Sequence, residues 1–256
     1  MAAYDIIGNI IIAKFERGTK AGEKKRFANE LLREHKGVRT ILEKVEKFSG
    51  RLRTLKTKYI LGEKTKEALY NENGCVFRLN VDSCYFSPRL ASERKEIAEQ
   101  VKDGESVLVM FGGVAPYAIV IAKKGKAKKV VSVELGRECN KYALENVKRN
   151  KVSNKVELIQ GDVRKKVPKI REKFERIVMP RPNLKDSFLD VAFKKIKENG
   201  IIHYYGFYKE EELEKLKALI ESEARKAKRK IQILGIKKAG EIGVRKYRYR
   251  ADILVS

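Results

Sequence analysis

Apolar residues fall into short blocks along the chain, and the block SVLVMFGGVAPYAIVIAK, from Ser106 to Lys123, organises the rest. A continuous apolar run, Val107 to Phe111, meets Gly112 and Gly113, and a second apolar run begins at Pro116. Proline at a first helical position loses no hydrogen bond and presets φ, so the pattern predicts strand, tight turn, helix. The next apolar strand, VVSVEL after Lys129, carries Glu134 near its end, about twenty residues past the glycines. The block Val156 to Arg164 repeats the plan and ends at Asp162. Three successive strands thus bring Gly112, Gly113, Glu134 and Asp162 to their carboxyl ends, the edge at which open α/β sheets bind ligands. On its own the glycine turn is either a nucleotide-type cofactor site or a bare βα turn.

Upstream, YDIIGNIIIAKF reads as two strands broken at Gly8-Asn9. Lys20 to Glu34 reads as a helix whose face is Phe27, Ala28, Leu31 and Leu32. Strand patterns follow at Thr40 to Val45, Lys58 to Leu61, Ala68 to Tyr70 and Cys75 to Leu79, with a basic loop at Gly50 to Thr57. Residues 1–80 are expected to form a small α+β domain and residues 81–256 the sheet domain. Between them Ser87-Pro88 sets up a helix with Leu90, Ile97, Ala98 and Val101 inward. Downstream come a strand at Glu175 to Met179, a helix at Leu184 to Glu198, a strand at Ile201 to Tyr208 and a helix at Glu210 to Lys226. Lys230 to Gly235 and Lys246 to Val255, linked by KKAGEIG, close the order as an antiparallel pair. His203, inside a strand, reads as a packed core histidine. The fold class expected is α/β, a Rossmann-like sheet of the class I methyltransferase type.

Charge adds a partner to this picture. Lys plus Arg number 59 against 34 Asp plus Glu, a net charge of +25 in 256 residues. Such an excess is self-repulsive, and a polyanion, nucleic acid first, is the expected compensation. No apolar run reaches the ~20 residues that span a bilayer, and no signal-peptide layout is present, so a soluble cytoplasmic protein with no membrane partner is expected. The three cysteines, Cys75, Cys84 and Cys139, form no CxxC pair, which suggests neither disulfides nor a metal site.

The motifs YFSPRLASER (Tyr85 to Arg94), VMFGGVAPY, VELGRECNKYALENVKRNKV, GDVR, RIVMPRP and IIHYY occur in an order and spacing that cover nearly the whole chain. In them the chain resembles the tRNA guanosine-37 N1-methyltransferase family of archaea and eukaryotes and its relative, the wybutosine-synthesis aminocarboxypropyltransferase. The resemblance implies S-adenosyl-L-methionine as cofactor and tRNA as substrate; contact is expected at the anticodon arm, and a monomer is expected. It places Tyr85, Arg89, Phe111, Gly112, Gly113, Val114, Glu134, Asp162 and Val163 at the cofactor. Ser87-Pro88-Arg89-Leu90 matches the methyltransferase members, whereas aminocarboxypropyl members carry a Ser-x-Gly-Asn type segment. The chain departs from the family pattern at Val109, at Ala115, near Leu55, and at Pro180-Arg181-Pro182, where methyltransferase members present Asn-Leu-Pro.

Methyl transfer to guanine N1 requires a base for the N1 proton and a donor for charge growing on O6. Glu93 matches the family's general base, and Arg89 can orient the reactants and donate to O6. Arg181 is a further catalytic candidate, in place of the missing Asn. Glu93 and Arg89 also fit a plain helical start, an acid favoured by the macrodipole beside a solvated arginine. Arg51 and Arg53 are candidate RNA contacts or a solvated basic loop.

Overall fold

The computed structural model describes residues 3–46, 50–181, 183–243 and 245–256. The chain divides into two compact units, Met1–Pro88 and Arg89–Ser256.

In the first unit, β1 (Ala3–Ile7) and β2 (Ile10–Lys14) form an antiparallel pair. Gly8 turns between them with φ +57°, and a Cβ there would meet the Leu69 carbonyl oxygen at 1.9 Å, so only glycine fits. Helix α1 (Ala21–Glu34) carries the chain to β3 (Thr40–Lys44), parallel to β2, and β4 (Thr57–Gly62) closes a four-stranded sheet in the order β1-β2-β3-β4. Ala28 and Leu31 of α1 bury against Ile11, Val38 and Ile41. A separate hairpin, β5 (Glu67–Glu72) and β6 (Cys75–Asn80), follows.

The second unit opens with α2 (Ala91–Gln100), then β7 (Ser106–Met110), α3 (Pro116–Lys124), β8 (Lys129–Glu134), α4 (Arg137–Arg149), β9 (Val156–Gln160) and the single turn α5 (Val163–Lys166). Strand β10 (Phe174–Met179), α6 (Leu189–Lys195), β11 (Ile196–Lys209), α7 (Leu213–Lys226), β12 (Ile231–Gly243) and β13 (Lys246–Val255) complete it. The sheet order is β12-β13-β11-β10-β7-β8-β9. Strands β7 to β11 are parallel, and β13 inserts antiparallel between β11 and β12. Every residue of β7 is buried, which explains the unbroken apolar run of a central parallel strand covered on both faces.

Three expected elements differ. Strand β11 begins at Ile196, ahead of its expected start at Ile201 and inside the segment expected to be helix. The helix expected from Leu184 spans only Leu189–Lys195, because residues 183–188 form a loop held by Arg164 and Arg181, and Phe188 adopts a left-handed conformation at the helix start. The segment expected to link the closing pair is instead strand. β12 runs on through KKAGEIG, and its register shifts at Ile233/Gly235, Lys238/Gly240 and Glu241/Gly243 place glycines at the irregular positions.

Candidate active site

The chain winds from β7 to β8 to β9 on one side and returns to β10 on the other side of β7, so the topological switch lies between β7 and β10. Ligands of open α/β sheets bind in the crevice at such a point, outside the carboxyl ends of the strands. The turn after β7 is tightly coiled, with φ +64° at Phe111, +56° at Gly113 and +66° at Ala115. Left-handed Phe and Ala cost roughly 1–2 kcal/mol each, so strain is stored where a ligand would meet the backbone. Gly112 lies against β8, where a Cβ would sit 2.1 Å from Ser132 Oγ.

Glu134 ends β8 and clamps this turn. Its Oε2 accepts from the Gly113 amide at 2.7 Å and its Oε1 from the Gly136 amide at 2.6 Å. Burial pushes its carboxyl pKa up, and the backbone N–H groups oppose that rise. The Leu135 amide adds a third backbone partner, which leaves the carboxylate room to accept from a ligand hydroxyl. Asp162, after β9, caps α5 by accepting from the Arg164 amide at 2.8 Å. Val163, the first residue of α5, points into the core, and Val114 is fully buried, its carbonyl accepting from Asn146 Nδ2 at 3.3 Å.

Across the switch, the Phe111 ring meets Phe188 edge-on at 5.0 Å, joining the loop after β7 to the loop after β10. Arg164 grips that second loop with Nε and Nη2 each 2.7 Å from Asp186, and reaches Asp190 at 2.9 Å. Arg181 is buried and turned into its own loop: Nη2 donates to the carbonyls of Leu184 and, at 2.6 Å, Asp186. Its guanidinium lies 5.6 Å from the centre of the Tyr204 ring. Pro182 lies outside the described residues. A cleft of about 520 Å³ lined by Lys129, Glu157, Lys166, Lys169 and Glu172 borders Lys129, the first residue of β8, at the other end of that strand from Glu134.

Glu93 lies in the first turn of α2, yet only 6% of it is exposed. Its Oε1 accepts from Arg250 Nη1 at 2.6 Å and from the Tyr205 hydroxyl at 2.7 Å. Arg89 is exposed one helical turn before it. Tyr117 donates to Tyr205 at 3.3 Å; burial pushes the Tyr117 phenol up to about 12 and that of Tyr205 well above its ordinary value, so both remain donors. The register explains the cluster. Tyr205 pairs with Arg250 and His203 with Asp252 across β11 and β13, so period-two spacing sets all four on one sheet face.

His203 is fully buried between Asp252 and Arg176, 2.6 Å from the former through Nδ1 and 2.7 Å from Arg176 Nη1 through Nε2. Arginine offers only donors, so Nε2 accepts and the ring is the neutral Nδ1–H form. Burial lowers its pKa. Between that lowered value and about 6.5 the unfolded chain binds the extra proton, so stability complete above about pH 6.5 is lost as pH falls through the folded pKa. His203→Gln, which keeps one donor and one acceptor, should flatten this part of the urea-midpoint profile; an unchanged slope would assign it elsewhere.

Tyr85, Arg51 and Arg53 belong to the first unit, where the Arg53 guanidinium lies 4.4 Å from the centre of the Tyr85 ring and Arg51 is exposed. Tyr205, Arg250 and Asp252 have no assigned role in the sequence pattern alone. Their signal is polar residues alternating within strands that are buried on both faces.

The strand order, the switch-point turn and the acids closing β8 and β9 define a class I methyltransferase-type α/β protein. A family profile describing the TRM5/TYW2 methyltransferase domain matches residues 68–234. The tRNA (guanine(37)-N(1))-methyltransferase Trm5b of Pyrococcus abyssi is 36% identical over 99% of this chain and 75% of its own. Its crystal structure superposes over the same shares with a TM-score of 0.88. The tRNA (guanine(37)-N(1))/4-demethylwyosine(37)-methyltransferase Taw22 of Nanoarchaeum equitans is 34% identical over 98% of this chain and 99% of its own. The M. jannaschii TYW2 crystal structure in complex with AdoMet matches with a TM-score of 0.75 at 25% identity, over 99% of both chains. The chain belongs to the TRM5/TYW2 methyltransferase domain family.

Proposed function

We propose that this protein is a tRNA methyltransferase that uses S-adenosyl-L-methionine to methylate N1 of guanosine 37, beside the anticodon, in the cytoplasm. The observation that carries this reading is Glu93, a carboxylate almost wholly removed from water in the second unit, with one oxygen held by Arg250 and Tyr205 and the other accepting no hydrogen bond among the described residues. Methyltransferase relatives and the Ser87-Pro88-Arg89-Leu90 segment support methyl rather than aminocarboxypropyl transfer.

The residues at the sheet edge fit the cofactor. The turn at Gly112 and Gly113 brings backbone to this edge, Phe111 offers an apolar wall, Glu134 can accept from a ribose hydroxyl, and Asp162 is the candidate to read an adenine amino group. When bound, S-adenosyl-L-methionine supplies an electrophilic methyl group. Glu93 takes the N1 proton as guanine becomes the nucleophile, and Arg89 donates to the O6 that gains charge. The target nucleotide is flipped out of its stack to reach them. Arg181, bonded to the carbonyls of Leu184 and Asp186, acts by shaping the loop after β10. Arg51 and Arg53 contact the phosphates of the anticodon arm.

Glu134→Ala should weaken cofactor binding by roughly 1.5–3 kcal/mol, the worth of charge-assisted hydrogen bonds. Unchanged affinity by calorimetry would remove Glu134 from the ribose. The reaction itself is tested by incubating the protein with unmodified tRNA and labelled cofactor and analysing the nucleosides by mass. One added methyl on guanosine 37 is expected. A four-carbon amino acid group would identify aminocarboxypropyl transfer, and tRNA binding without product would identify a binding protein.

A further inference from the structure

We propose that Arg250 is a positioning residue for methyl transfer, committing Glu93 Oε1 so that Oε2 receives the guanine N1 proton. This rests on the reading of Glu93 as the base. Oε1 is occupied by two short hydrogen bonds, from Arg250 and Tyr205. Among the described residues Oε2 has one ion-pair partner, the Lys237 ammonium 3.6 Å away, and it is not among the solvent-sealed polar atoms that lack a partner. The carboxylate is therefore asymmetric before substrate arrives: one oxygen is an anchor and the other an acceptor.

Arg250 is itself held from three sides, so it cannot follow the carboxylate outward. Its Nη2 lies 2.7 Å from Glu96 Oε1 and 2.9 Å from Asp252 Oδ2, and Asp252 is fixed by neutral His203, which leans on the Arg176–Glu105 pair. Glu93 meets Tyr205 from β11, Lys237 from β12 and Arg250 from β13, with Tyr117 from α3 beside Tyr205; behind these partners stand Glu96 and Arg94 from α2 and Asp252 from β13. Within the ion-paired cluster, Glu93, Glu96 and Asp252 face Arg250 and Lys237, three carboxylates against two cations. In the step, the N1–H bond breaks, its electron pair stays on the guanine, and the proton forms an O–H bond at Oε2. Arg250 keeps Oε1 bonded before and after.

The test is single-turnover methylation of unmodified tRNA by the full chain with saturating S-adenosyl-L-methionine, followed across pH. Arg250→Met should move the acid limb of the rate profile at least about one pH unit to the alkaline side, because a cation in contact favours the ionised base. Below the limb that is a loss of about tenfold or more, and the rate recovers towards its plateau at alkaline pH. Arg250→Lys, which keeps the charge but not the fork, should leave the limb near its wild-type position. Tyr205→Phe, which removes one donor to Oε1, should move it in the same direction as Arg250→Met by less. A rate lowered by one factor at all pH values in Arg250→Met would overturn the proposal in favour of a purely structural role. If thermal melts show Arg250→Met unfolded, Tyr205→Phe decides, and an unmoved limb overturns the proposal. Glu93→Gln separates the two levels. A near-wild-type rate there removes the base and this inference together, whereas a slow Glu93→Gln with unmoved limbs in the other variants removes only the role of Arg250.

Discussion

Glu93→Gln should lower the single-turnover rate of methyl transfer by a factor on the order of 10² to 10⁴ while leaving cofactor and tRNA binding near wild type. The substitution keeps shape and one carbonyl acceptor, so Arg250 and Tyr205 retain a partner at the position of Oε1. What disappears is the group that can take a proton. Arg250 also keeps Glu96 and Asp252, so the variant does not leave a bare buried guanidinium. In the wild type the rate should rise with pH through one carboxyl titration and then level; in the variant that limb should vanish. A helix-start acid alone is worth at most about 1 kcal/mol of stability and nothing in rate. Measuring rate against pH together with urea unfolding separates the two, and a Gln variant with the wild-type rate and profile eliminates Glu93 as the base.

Binding to tRNA should fall log-linearly with salt, by roughly 10³- to 10⁵-fold between about 50 and 200 mM if about six to ten phosphates are contacted. The sequence carries 59 basic and 34 acidic residues, so pairing every acid once still leaves 25 cations. Many surface lysines are already paired with neighbouring acids, as in Lys141–Glu138 and Lys215–Glu212, and such exposed pairs add at most about 1 kcal/mol each and carry no net charge. The excess is what remains for a polyanion. Filter binding across a salt series measures the slope, and a flat line would remove nucleic acid as the reason for the charge.

The carboxyl edge of the sheet, with its turn and its strand-end acid, was legible in the sequence because its determinants are local. An unbroken apolar run predicts a central strand, Gly112-Gly113 before Pro116 predicts the turn, and an acid at the end of β8 lies where its own strand stops. Glu134 needs no distant partner to be read in this way, although its bond to the Gly113 amide, 21 residues away, shows that it also braces the turn. The segment expected to link the closing hairpin was misread for the opposite reason. KKAGEIG has little local strand preference, and its conformation comes from pairing with β13 through a ladder that tolerates glycine at its irregular positions.

The surroundings of Glu93 were decided only by the tertiary structure. The sequence alone determined that an acid opens α2 and that Lys246 to Val255 belongs to a closing antiparallel pair. It did not determine that these meet. Arg250 is 157 residues from Glu93 and Tyr205 is 112 away, and nothing in local spacing distinguishes an arginine facing solvent from one sealed against a carboxylate. That choice follows from inserting β13 between β11 and β12 in one register. A shift of one residue would turn Arg250 and Asp252 to the other face, away from α2. A buried charge is tolerated only where its partners are already in place, so sheet pairing, and not the identity of residue 93, made that carboxylate one-sided.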